Sequence, residues 1–553
     1  MNERLFERIQ NTIQGSEPYP GYPSTRLSIN AAELEAMTQV EIPEGPWQIN
    51  DKDLPSPDET AAFIAAGYDT DSLGRPLHPA FRQMVTNPDL GVVTGKGRYW
   101  NWGPNRTADP IVMTQTACPR VLLIKRGDTG SWALPGGFVD PEDADASVAA
   151  LRELGEEAGL TGVSDGKEVY VGVVGDKRTT AHAWAETSAY LYQLERQVPV
   201  AGADDAVDAK WVRLDKLGET LFGSHEFLIE EALPLAQYEQ KKPIVDILGE
   251  PKENLNIEII DAGHMAYDHL FVRDGDSTLF VKEHVASRFT DPFREAHSRA
   301  YLEKEFALFE HVAERGYGFV PDRVDLVDDS LLAMDALHED DGWLWRAPKD
   351  AEAFHAYTTD VLDALEQLEL VPLIENPEYH KDINPTYETY WAEGWDDITD
   401  DKFDALVAKI NELSSSWSDD QKELAQELIA TLPELRGYAD RIDRHVELFM
   451  AHNDARQSNI AWHPTKGARL VDWSWGDPAP HHSDTTMFLV DLAKGGYDVS
   501  PYYDKLNSDQ LINYVGFLLA HSLWQTRDGS TTVREQQVAS ATAAFRILKD
   551  ITA

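Results

Sequence analysis

Three glutamates within one helical turn are the first residues in this chain whose types and spacing suggest chemistry. Glu153, Glu156 and Glu157 occupy positions i, i+3 and i+4, so in a helix their carboxylates lie on the same side. Like charges at this spacing destabilise a helix unless a cation offsets them. Carboxylate oxygens are ligands that Mg²⁺ prefers, together with waters and substrate phosphates. The spacing therefore indicates either a hard-cation site or a solvated acidic face.

The residues around these glutamates favour the cation site. A tight Pro-Gly-Gly loop precedes them at 135–137, and Arg152 comes directly before the first glutamate. Gly159 follows at the position where the C-cap of a helix belongs. A helix that only faces solvent does not need this framing. We therefore predict that the three glutamates bind Mg²⁺, with Mn²⁺ as an alternative ion.

Composition limits the classes of partner. The chain has 553 residues, enough for two or three domains, with 96 acidic and 49 basic residues and a net charge of -47. This charge argues against non-specific binding to nucleic acid or to anionic membranes. Cys118 is the single cysteine, which excludes an intramolecular disulfide and a cysteine zinc cluster. No apolar run approaches about 18 residues, and no signal peptide is seen, so we expect a cytoplasmic protein.

The elements that must position the glutamates follow from hydrophobic periodicity. An apolar strand is predicted at 120–126, and a helix is predicted at 145–158. Further strands and a closing helix are predicted at 169–175, 183–194, 209–214 and 225–240. This order predicts a mixed α/β sandwich. We assign residues 1–110 to an N-terminal cap segment, 111–240 to the sandwich and 241–252 to a linker.

The rest of the chain reads as a separate, two-lobed α+β unit. Antiparallel strands are predicted within 253–340, followed by a helix beginning near residue 300. Residues 341–553 are largely helical by periodicity, with a hairpin-like interruption at 458–475. The whole chain is therefore predicted to be multidomain, with an α/β part and an α+β part.

The segment from Gly137 to Leu160 resembles the Nudix box, G-x5-E-x7-R-E-U-x-E-E-x-G-U, in which U is aliphatic. Its second half, "RELGEEAGL" at 152–160, fits without exception. The first half is one residue longer than the pattern, so the early glutamate falls on Glu142 or Asp143, and in the family that residue braces the arginine. The resemblance implies a Nudix α/β/α sandwich with a mixed sheet and a metal-dependent diphosphate hydrolase.

The resemblance extends over roughly residues 15–240. Within that range the chain resembles the mitochondrial ADP-ribose pyrophosphatase branch of the family. The matching segments lie at 19–26, 97–111, 170–187, 201–212 and 224–232. This branch implies that ADP-ribose, or a related nucleoside diphosphate, is hydrolysed to AMP and ribose 5-phosphate. It also implies that the three glutamates hold Mg²⁺, which neutralises the diphosphate and orients a water.

The same resemblance assigns roles to other residues. Arg152 is a structural brace for the glutamates rather than a phosphate ligand. Asp176 and Arg178 match a loop that holds the terminal ribose. Trp102 is assigned to the substrate site as a residue that stacks on adenine, an assignment open also to Trp184, with buried packing as the alternative. The general base stays open, with the neighbouring aspartates 204 and 205 as candidates.

A second motif lies near the C-terminus. "MAHNDARQSNIAW" places Asp454 and Asn459 five residues apart after His452, and "LVDWSWGDPAP" supplies Asp472 after a strand. This pattern resembles the aminoglycoside phosphotransferase and choline kinase group over roughly residues 253–553. The resemblance implies a bilobal, protein-kinase-like phosphotransferase domain that uses ATP as co-substrate.

Roles in phosphoryl transfer follow from this second resemblance. Asp454 accepts the proton of the substrate hydroxyl, and Asn459 and Asp472 hold Mg²⁺. Lys282 binds the ATP phosphates and is oriented by Glu305. His452 packs the catalytic loop.

The N-terminal part of this unit departs further from the family. The segment 261–272 replaces the glycine-rich loop and keeps only Gly263, and 331–337 is similar to the hinge between lobes.

Three functions remain open at this point. The first is a bifunctional enzyme that hydrolyses ADP-ribose and phosphorylates an unknown small-molecule hydroxyl. The second is a module that senses ADP-ribose and regulates the attached kinase, which the complete set of box acids disfavours. The third is a kinase fold without phosphate transfer, which the retained Lys282, Asp454, Asn459 and Asp472 disfavour.

Overall fold

A computed structural model describes most of the chain from residue 54 onward. The described ranges are 54–86, 94–116, 118–176, 178–218, 221–237, 244–249, 252–260, 267–274, 277–285, 292–327, 329–381, 393–524 and 531–552. The segment 19–26, the Lys-Lys-Pro sequence at 241–243 and Gly263 lie outside them. The chain divides into two compact units, with the boundary near residue 240.

The first unit is built on a seven-stranded mixed sheet. Its strands are β1 (Gly103–Thr114), β2 (Arg120–Arg126), β3 (Trp132–Ala133), β4 (Gly137–Phe138), β5 (Lys167–Val173), β6 (Ala183–Leu194) and β7 (Ala206–Arg213). Its α-helices are α1 (Pro57–Ala65), α2 (Phe81–Thr86), α3 (Ala146–Ala158) and α4 (His225–Ala232).

The central pairing of this sheet is parallel. β1 pairs with β6 in one continuous register, from Gly103 opposite Ala183 to Thr114 opposite Leu194. The other pairings are antiparallel and give the order β3-β2-β1-β6-β5, with β7 on β2 and β4 on β1. The sheet is therefore mixed, as predicted.

Two helices cover opposite faces of the sheet. Ile111 of β1 packs in one core with Phe227 of α4, and the next residue, Val112, packs in another core with Leu154 of α3. Successive side chains of a strand point to opposite faces. The first unit is therefore an α/β/α sandwich.

Helix α3 is held at both ends by its own sequence. The Asp145 carboxylate accepts hydrogen bonds from the backbone N–H groups of Ser147 and Val148, which have no partner within the helix. Gly159 ends the helix in the left-handed region, at φ 66°. The predicted helix and its glycine C-cap are confirmed.

One strand of the first unit differs from the sequence-based expectation. β1 begins at Gly103 and crosses the predicted boundary between residues 110 and 111. Pro104, Asp109 and Pro110 have low strand propensity, so the local pattern hides the strand. Pairing with β6 along the whole length of β1 overrides that propensity.

The second unit begins with an antiparallel sheet. Its strands are β8 (Asn256–Ile260), β9 (Tyr267–Asp274), β10 (Ser277–His284), β11 (Val324–Val327) and β12 (Leu331–Asp335), in the order β11-β12-β10-β9-β8. The short helix α5 (Ile244–Leu248) packs on one face, where Ile247 contacts the core that contains Val281. Because side chains alternate along β10, Lys282 lies on the opposite face.

The remainder of the second unit is mainly helical, with two short two-stranded antiparallel sheets. Its α-helices are α6 (Pro292–Glu314), α7 (Ala351–Glu369), α8 (Glu393–Asp397), α9 (Asp400–Leu413), α10 (Asp419–Ala439), α11 (Ser483–Lys494), α12 (Ser508–Ser522) and α13 (Thr532–Thr552). β13 (Leu448–Ala451) pairs with β16 (Asp477–Pro480), and β14 (Ile460–His463) pairs with β15 (Gly467–Leu470). The predicted sheet, helices and hairpin are confirmed as elements.

Two further observations concern Cys118 and the hydropathy of the helices. Cys118 is buried and forms no disulfide bond within the described residues. Among the described residues, none of the helices combines the length and the apolar composition that crossing a lipid bilayer requires.

Helix α7 provides a direct test of the core of the second unit. Leu368 is 0% exposed, whereas Leu370 is 71% exposed at the end of the same helix. Leu368→Ala should lower the free energy of unfolding by about 2–5 kcal/mol, because it removes buried methyl groups and leaves a cavity. Leu370→Ala is the matched control and should change stability by less than about 0.5 kcal/mol. Urea unfolding followed by circular dichroism measures both, and equal effects would contradict the described packing of α7.

Candidate active sites

The box residues line a cavity of about 480 Å³ in the first unit. The cavity lies next to the Pro-Gly-Gly loop and α3, and side chains from several strands and loops line it. Its acidic and basic lining residues are Asp109, Arg126, Asp140, Arg152, Glu153, Glu156, Glu157, Asp176, Arg178, Asp204, Asp205 and His225. Residues separated by more than 100 positions therefore share one acidic site.

Arg152 organises the exposed side of this site. Its Nη1 donates to Glu153 Oε1 at 2.9 Å and to Glu156 Oε2 at 2.8 Å. Its Nη2 donates to the Phe138 carbonyl at 2.9 Å. The planar guanidinium thus fixes two of the box carboxylates relative to the loop. This geometry is that of a brace and leaves little of the guanidinium free for a phosphate.

Asp143 completes the contacts of Arg152. Arg152 Nη2 lies 3.0 Å from Asp143 Oδ2, and Arg152 Nε lies 3.3 Å from Asp143 Oδ1. Glu142 is exposed. Of the two residues left open by the longer loop, the structure therefore brings Asp143 to the arginine.

Glu157 is the most buried of the three glutamates, at 5% exposure. Its Oε2 accepts a hydrogen bond from the Gly136 N–H at 2.8 Å. Burial outweighs this bond and raises the pKa of Glu157 to about 7. Burial likewise raises the pKa of Glu153. Two carboxylates held in a partly desolvated site, of which only Glu153 contacts Arg152, match the donor set of a hard cation such as Mg²⁺ or Mn²⁺.

The loop glycine next to the helix leaves room for the Glu153 carboxylate. A Cβ at Gly137 would lie 2.4 Å from Glu153 Oε1. The closest atoms belong to the flexible end of a side chain, so a methyl group there would displace the carboxylate rather than the backbone.

Asp176 and Arg178 form an ion pair at the same cavity. Arg178 Nη2 lies 2.6 Å from Asp176 Oδ2, and the guanidinium lies 5.2 Å from the centre of the Tyr99 ring. Both residues line the cavity. The structure therefore brings this predicted pair to the same site as the box glutamates.

The tryptophan that lines the cavity is not one of the two that were predicted. Trp102 is 7% exposed and Trp184 is 0% exposed, and neither is among the described residues that line the cavity. Trp100 lines it instead, is 72% exposed and lies 5.0 Å from the Phe138 ring. The structure therefore brings Trp100, rather than the predicted Trp102, to the lining of this cavity.

Two further lining residues were not found from the sequence. Asp109 accepts a short hydrogen bond from Thr187 Oγ1, and burial raises its pKa. His225 Nδ1 accepts from the Leu134 N–H at 2.7 Å, so its proton resides on Nε2, which lies 3.9 Å from Asp109 Oδ1. Asp109 lies in the strand that the local pattern hides, and His225 gave no signal beyond the start of a helix.

Comparison with known proteins decides what this site belongs to. Residues 104–232 match the family described as NUDIX domain. Residues 104–232 form a Nudix domain. The chain is 29% identical over 237 residues to "Putative nudix hydrolase 6" of Caenorhabditis elegans, covering 40% of this chain and 86% of that protein.

Two further relatives of the Nudix domain differ in how much of each is covered. The chain is 35% identical over 196 residues to "ADP-ribose pyrophosphatase, mitochondrial" of Rattus norvegicus, covering 28% of this chain and 53% of that protein. It is also similar to the Nudix domain of Shewanella oneidensis NrtR complexed with ADP ribose, at 27% identity and a TM-score of 0.22. That match covers 24% of this chain and 88% of the other. The chain thus spans about half of the rat protein and most of the nematode one.

The second predicted site lies beyond the Nudix domain, and Lys282 contacts two of its acidic residues. Lys282 Nζ lies 2.8 Å from Glu305 Oε2 and 2.9 Å from Asp472 Oδ1. Burial alone would lower the pKa of Lys282, but the two carboxylates outweigh it and raise that pKa. The charged lysine is therefore held between β10, α6 and the turn after β15.

Asp454 and Asn459 lie on one loop and contact each other. Asn459 Nδ2 donates to Asp454 Oδ2 at 2.8 Å and to the Asp454 carbonyl at 3.0 Å. The Val471 N–H donates to the Asn459 carbonyl at 3.0 Å, which places this loop next to Asp472. Arg456, which the sequence did not single out, binds both oxygens of Asp454 at 2.6 and 2.7 Å.

His452 and Asp484 hold the backbone of that loop. The buried His452 ring contacts the Val471 carbonyl through Nε2 at 2.9 Å, and its Nδ1 accepts from the Asp454 N–H at 3.3 Å. Asp484, in the first turn of α11, accepts the N–H groups of His452 and Asn453 at 2.6 and 2.8 Å. His452 thus packs the loop, and Asp484 is a positioning residue without a local sequence signal.

The prediction from the Nudix domain concerns its glycine loop. Gly137→Ala should keep the fold but weaken Mn²⁺ binding by about tenfold or more, because the new methyl group displaces the Glu153 carboxylate from its position beside the helix. Gly218→Ala is the matched control, since a Cβ there meets nothing within 4 Å. Mn²⁺ titration followed by electron paramagnetic resonance measures the affinity. Wild-type affinity in Gly137→Ala would show that Glu153 is not a ligand.

Proposed function

We propose that the Nudix domain hydrolyses ADP-ribose to AMP and ribose 5-phosphate in the presence of Mg²⁺. The observation that carries this proposal is one cavity that contains both the box glutamates and the Asp176–Arg178 pair. Similarity to the rat protein named ADP-ribose pyrophosphatase supports the choice of substrate. Glu153, Glu156 and Glu157 are the proposed metal ligands.

The residues of the cavity divide the work of such a reaction. A bound Mg²⁺ would neutralise diphosphate charge and lower the pKa of the attacking water. The three glutamates hold that ion, and Arg152 keeps Glu153 and Glu156 at fixed positions. Asp204 and Asp205 line the same cavity and remain the two candidates for the general base. The glycosidic bond stays intact, because the ion held by the glutamates would bind the diphosphate and direct the water to phosphorus.

Two further groups of residues at the cavity are proposed to bind the two ends of the substrate. Trp100 and Phe138 offer aromatic surface for the adenine. Asp176 and Arg178 offer an acceptor and a donor for the hydroxyl groups of the terminal ribose. A site that hydrogen-bonds a free ribose discriminates against substrates that carry another group there, such as NAD⁺.

Product analysis tests this proposal. Incubation of the full chain with ADP-ribose and Mg²⁺ should give equal amounts of AMP and ribose 5-phosphate, and EDTA should stop the reaction. Glu157→Gln should lower the rate on the order of a thousandfold, because a metal carboxylate is lost. Glu142→Gln is the matched control, since Glu142 is exposed, and it should keep wild-type activity.

Two outcomes would overturn this assignment. Binding of ADP-ribose without turnover would favour the alternative of an ADP-ribose sensor that regulates the second unit. Release of free adenine, or cleavage of NAD⁺ as fast as ADP-ribose, would contradict the proposed substrate.

We propose in addition that the second unit, with a kinase-like bilobal fold, transfers phosphate from ATP to a small-molecule hydroxyl. The observation that favours it is the contact of Lys282 with both Glu305 and Asp472, beside the loop of Asp454 and Asn459. In this proposal Lys282 binds ATP phosphates, and Asn459 and Asp472 hold Mg²⁺. Asp454 accepts the proton of the acceptor hydroxyl.

Aromatic side chains on the lysine face of the sheet support a nucleotide at this position. His269 is the cross-strand partner of Lys282, and Phe271 is the partner of Phe280, so these residues share one face. The His269 and Phe280 rings are stacked at 5.6 Å, and His338 packs edge-on to Phe271 at 5.2 Å. A purine base can stack on such a surface next to the phosphate-binding lysine.

Asp454→Asn should lower phosphate transfer by about a hundredfold or more, because the proton acceptor is lost. It should leave ADP-ribose hydrolysis unchanged, since no Nudix residue is altered. Asp404→Asn, at an exposed position of α9, is the matched control. The measurement is transfer of labelled phosphate from ATP to a panel of sugars, aminoglycosides and amino alcohols. Equal loss of both activities would show unfolding, and transfer at the wild-type rate by Asp454→Asn would refute the role of Asp454.

A further inference from the structure

A cluster of two histidines and a glutamate lies in the second unit, outside both proposed active sites. Glu369 is the last residue of α7, and His481 and His482 directly precede α11. One ligand atom from each side chain lies within 4.8 Å of the other two. The centres of the two imidazole rings are 3.7 Å apart. Residues separated by more than 100 positions thus direct nitrogen and oxygen atoms at one point.

The contacts inside the cluster leave one nitrogen without a partner. His481 Nδ1 lies 2.5 Å from Glu369 Oε2, and the His482 N–H donates to Glu369 Oε1 at 2.5 Å. His482 Nδ1 is buried and has no hydrogen-bond partner among the described residues. A buried polar atom left unpaired is unfavourable unless a ligand or water reaches it.

Backbone conformation and charge both prepare these side chains for a cation. His482 adopts a left-handed conformation at φ 64°, and its ring packs against the ring of His481. The Glu369 carboxylate is 12% exposed. Lys505 and Glu366 form an ion pair beside the cluster.

We propose that Glu369, His481 and His482 form a binding site for a divalent transition-metal ion of the zinc type. Two imidazole nitrogens and one carboxylate oxygen suit Zn²⁺, Co²⁺ or Ni²⁺, whereas Mg²⁺ prefers oxygen ligands. Three protein ligands leave a fourth position of a tetrahedral ion for water. The ion would replace the direct contact between His481 Nδ1 and Glu369 Oε2.

The position of this site links it to the loop that carries Asp454. Asp484 lies two residues after His482 and accepts the backbone N–H groups of His452 and Asn453. A metal ion at the cluster ties the end of α7 to the start of α11, and so stabilises the helix turn that holds this loop. The site itself does not depend on the phosphotransferase activity proposed above.

Metal titration of the full chain tests the proposal. The protein is first stripped with EDTA and then titrated with Zn²⁺ or Co²⁺ in excess Mg²⁺, which occupies the carboxylate site of the Nudix domain. We expect one tightly bound Zn²⁺ per chain and Co²⁺ absorption bands typical of nitrogen ligation. Zn²⁺ should also raise the unfolding temperature, by an amount that grows with the logarithm of the free Zn²⁺ concentration above its Kd.

Variants separate this site from other metal-binding residues. His481→Gln with His482→Gln should weaken Zn²⁺ binding by more than about a hundredfold and abolish the thermal shift, because both nitrogen ligands are lost. Glu369→Gln should weaken binding by about tenfold or more, and it decides the question if the double variant does not fold. His445→Gln, at an exposed histidine of the same unit, is the matched control. Wild-type Zn²⁺ affinity in the folded double variant or in Glu369→Gln, or no Zn²⁺ bound by the wild type, would overturn the proposal.

Discussion

The guanidinium of Arg152 is the interaction on which the acidic cavity of the Nudix domain depends. One positive charge contacts Asp143, Glu153 and Glu156 and also the Phe138 carbonyl. Without it, carboxylates one helical turn apart would repel one another in a chain whose net charge is -47. Because the guanidinium is planar and rigid, it fixes directions as well as distances. A lysine at this position would supply the charge without holding several oxygens in one plane.

A lysine has the corresponding role in the second unit, over a much longer stretch of sequence. Lys282 contacts Glu305, 23 residues away, and Asp472, 190 residues away. A buried group of this kind contributes little net stability, because desolvation of its charges offsets their attraction. Its main structural effect is to fix the face of the sheet relative to α6 and to the turn that follows β15. In the proposed phosphotransferase reaction, the same contacts would set where a phosphate meets Asp454 and Asn459.

Local patterns predicted the box helix well because several independent signals agree there. The acidic spacing, Asp145 as N-cap and Gly159 as C-cap all favour the same helix. The adjoining loop was harder, since one extra residue left Glu142 and Asp143 equivalent until the Arg152 contacts distinguished them. The neighbouring tryptophans of the 97–111 segment posed a similar problem, because an irregular loop has no periodicity that tells which ring faces a cavity.

Long-range pairing accounts for most of what the sequence did not reveal. β1 contains two prolines and an aspartate, and it becomes a strand through pairing with β6. Asp109 was missed as a cavity residue for this reason. Asp484 and the Glu369–His481–His482 cluster were missed because their partners lie on distant elements. In each case the partner, rather than the residue type, determines the role.

The parallel register of β1 and β6 also has a consequence for synthesis of the chain. Thr107 of β1 lies opposite Thr187 of β6, 80 residues later. A ribosome that adds about 5–20 residues per second needs roughly 4–16 s to make that interval. Throughout this time the emerging β1 has no β6 to pair with, and unpaired strand edges promote association between chains. The low strand propensity of its two prolines and Asp109 then has a benefit, because it makes the unpaired segment a poorer template for nascent neighbours.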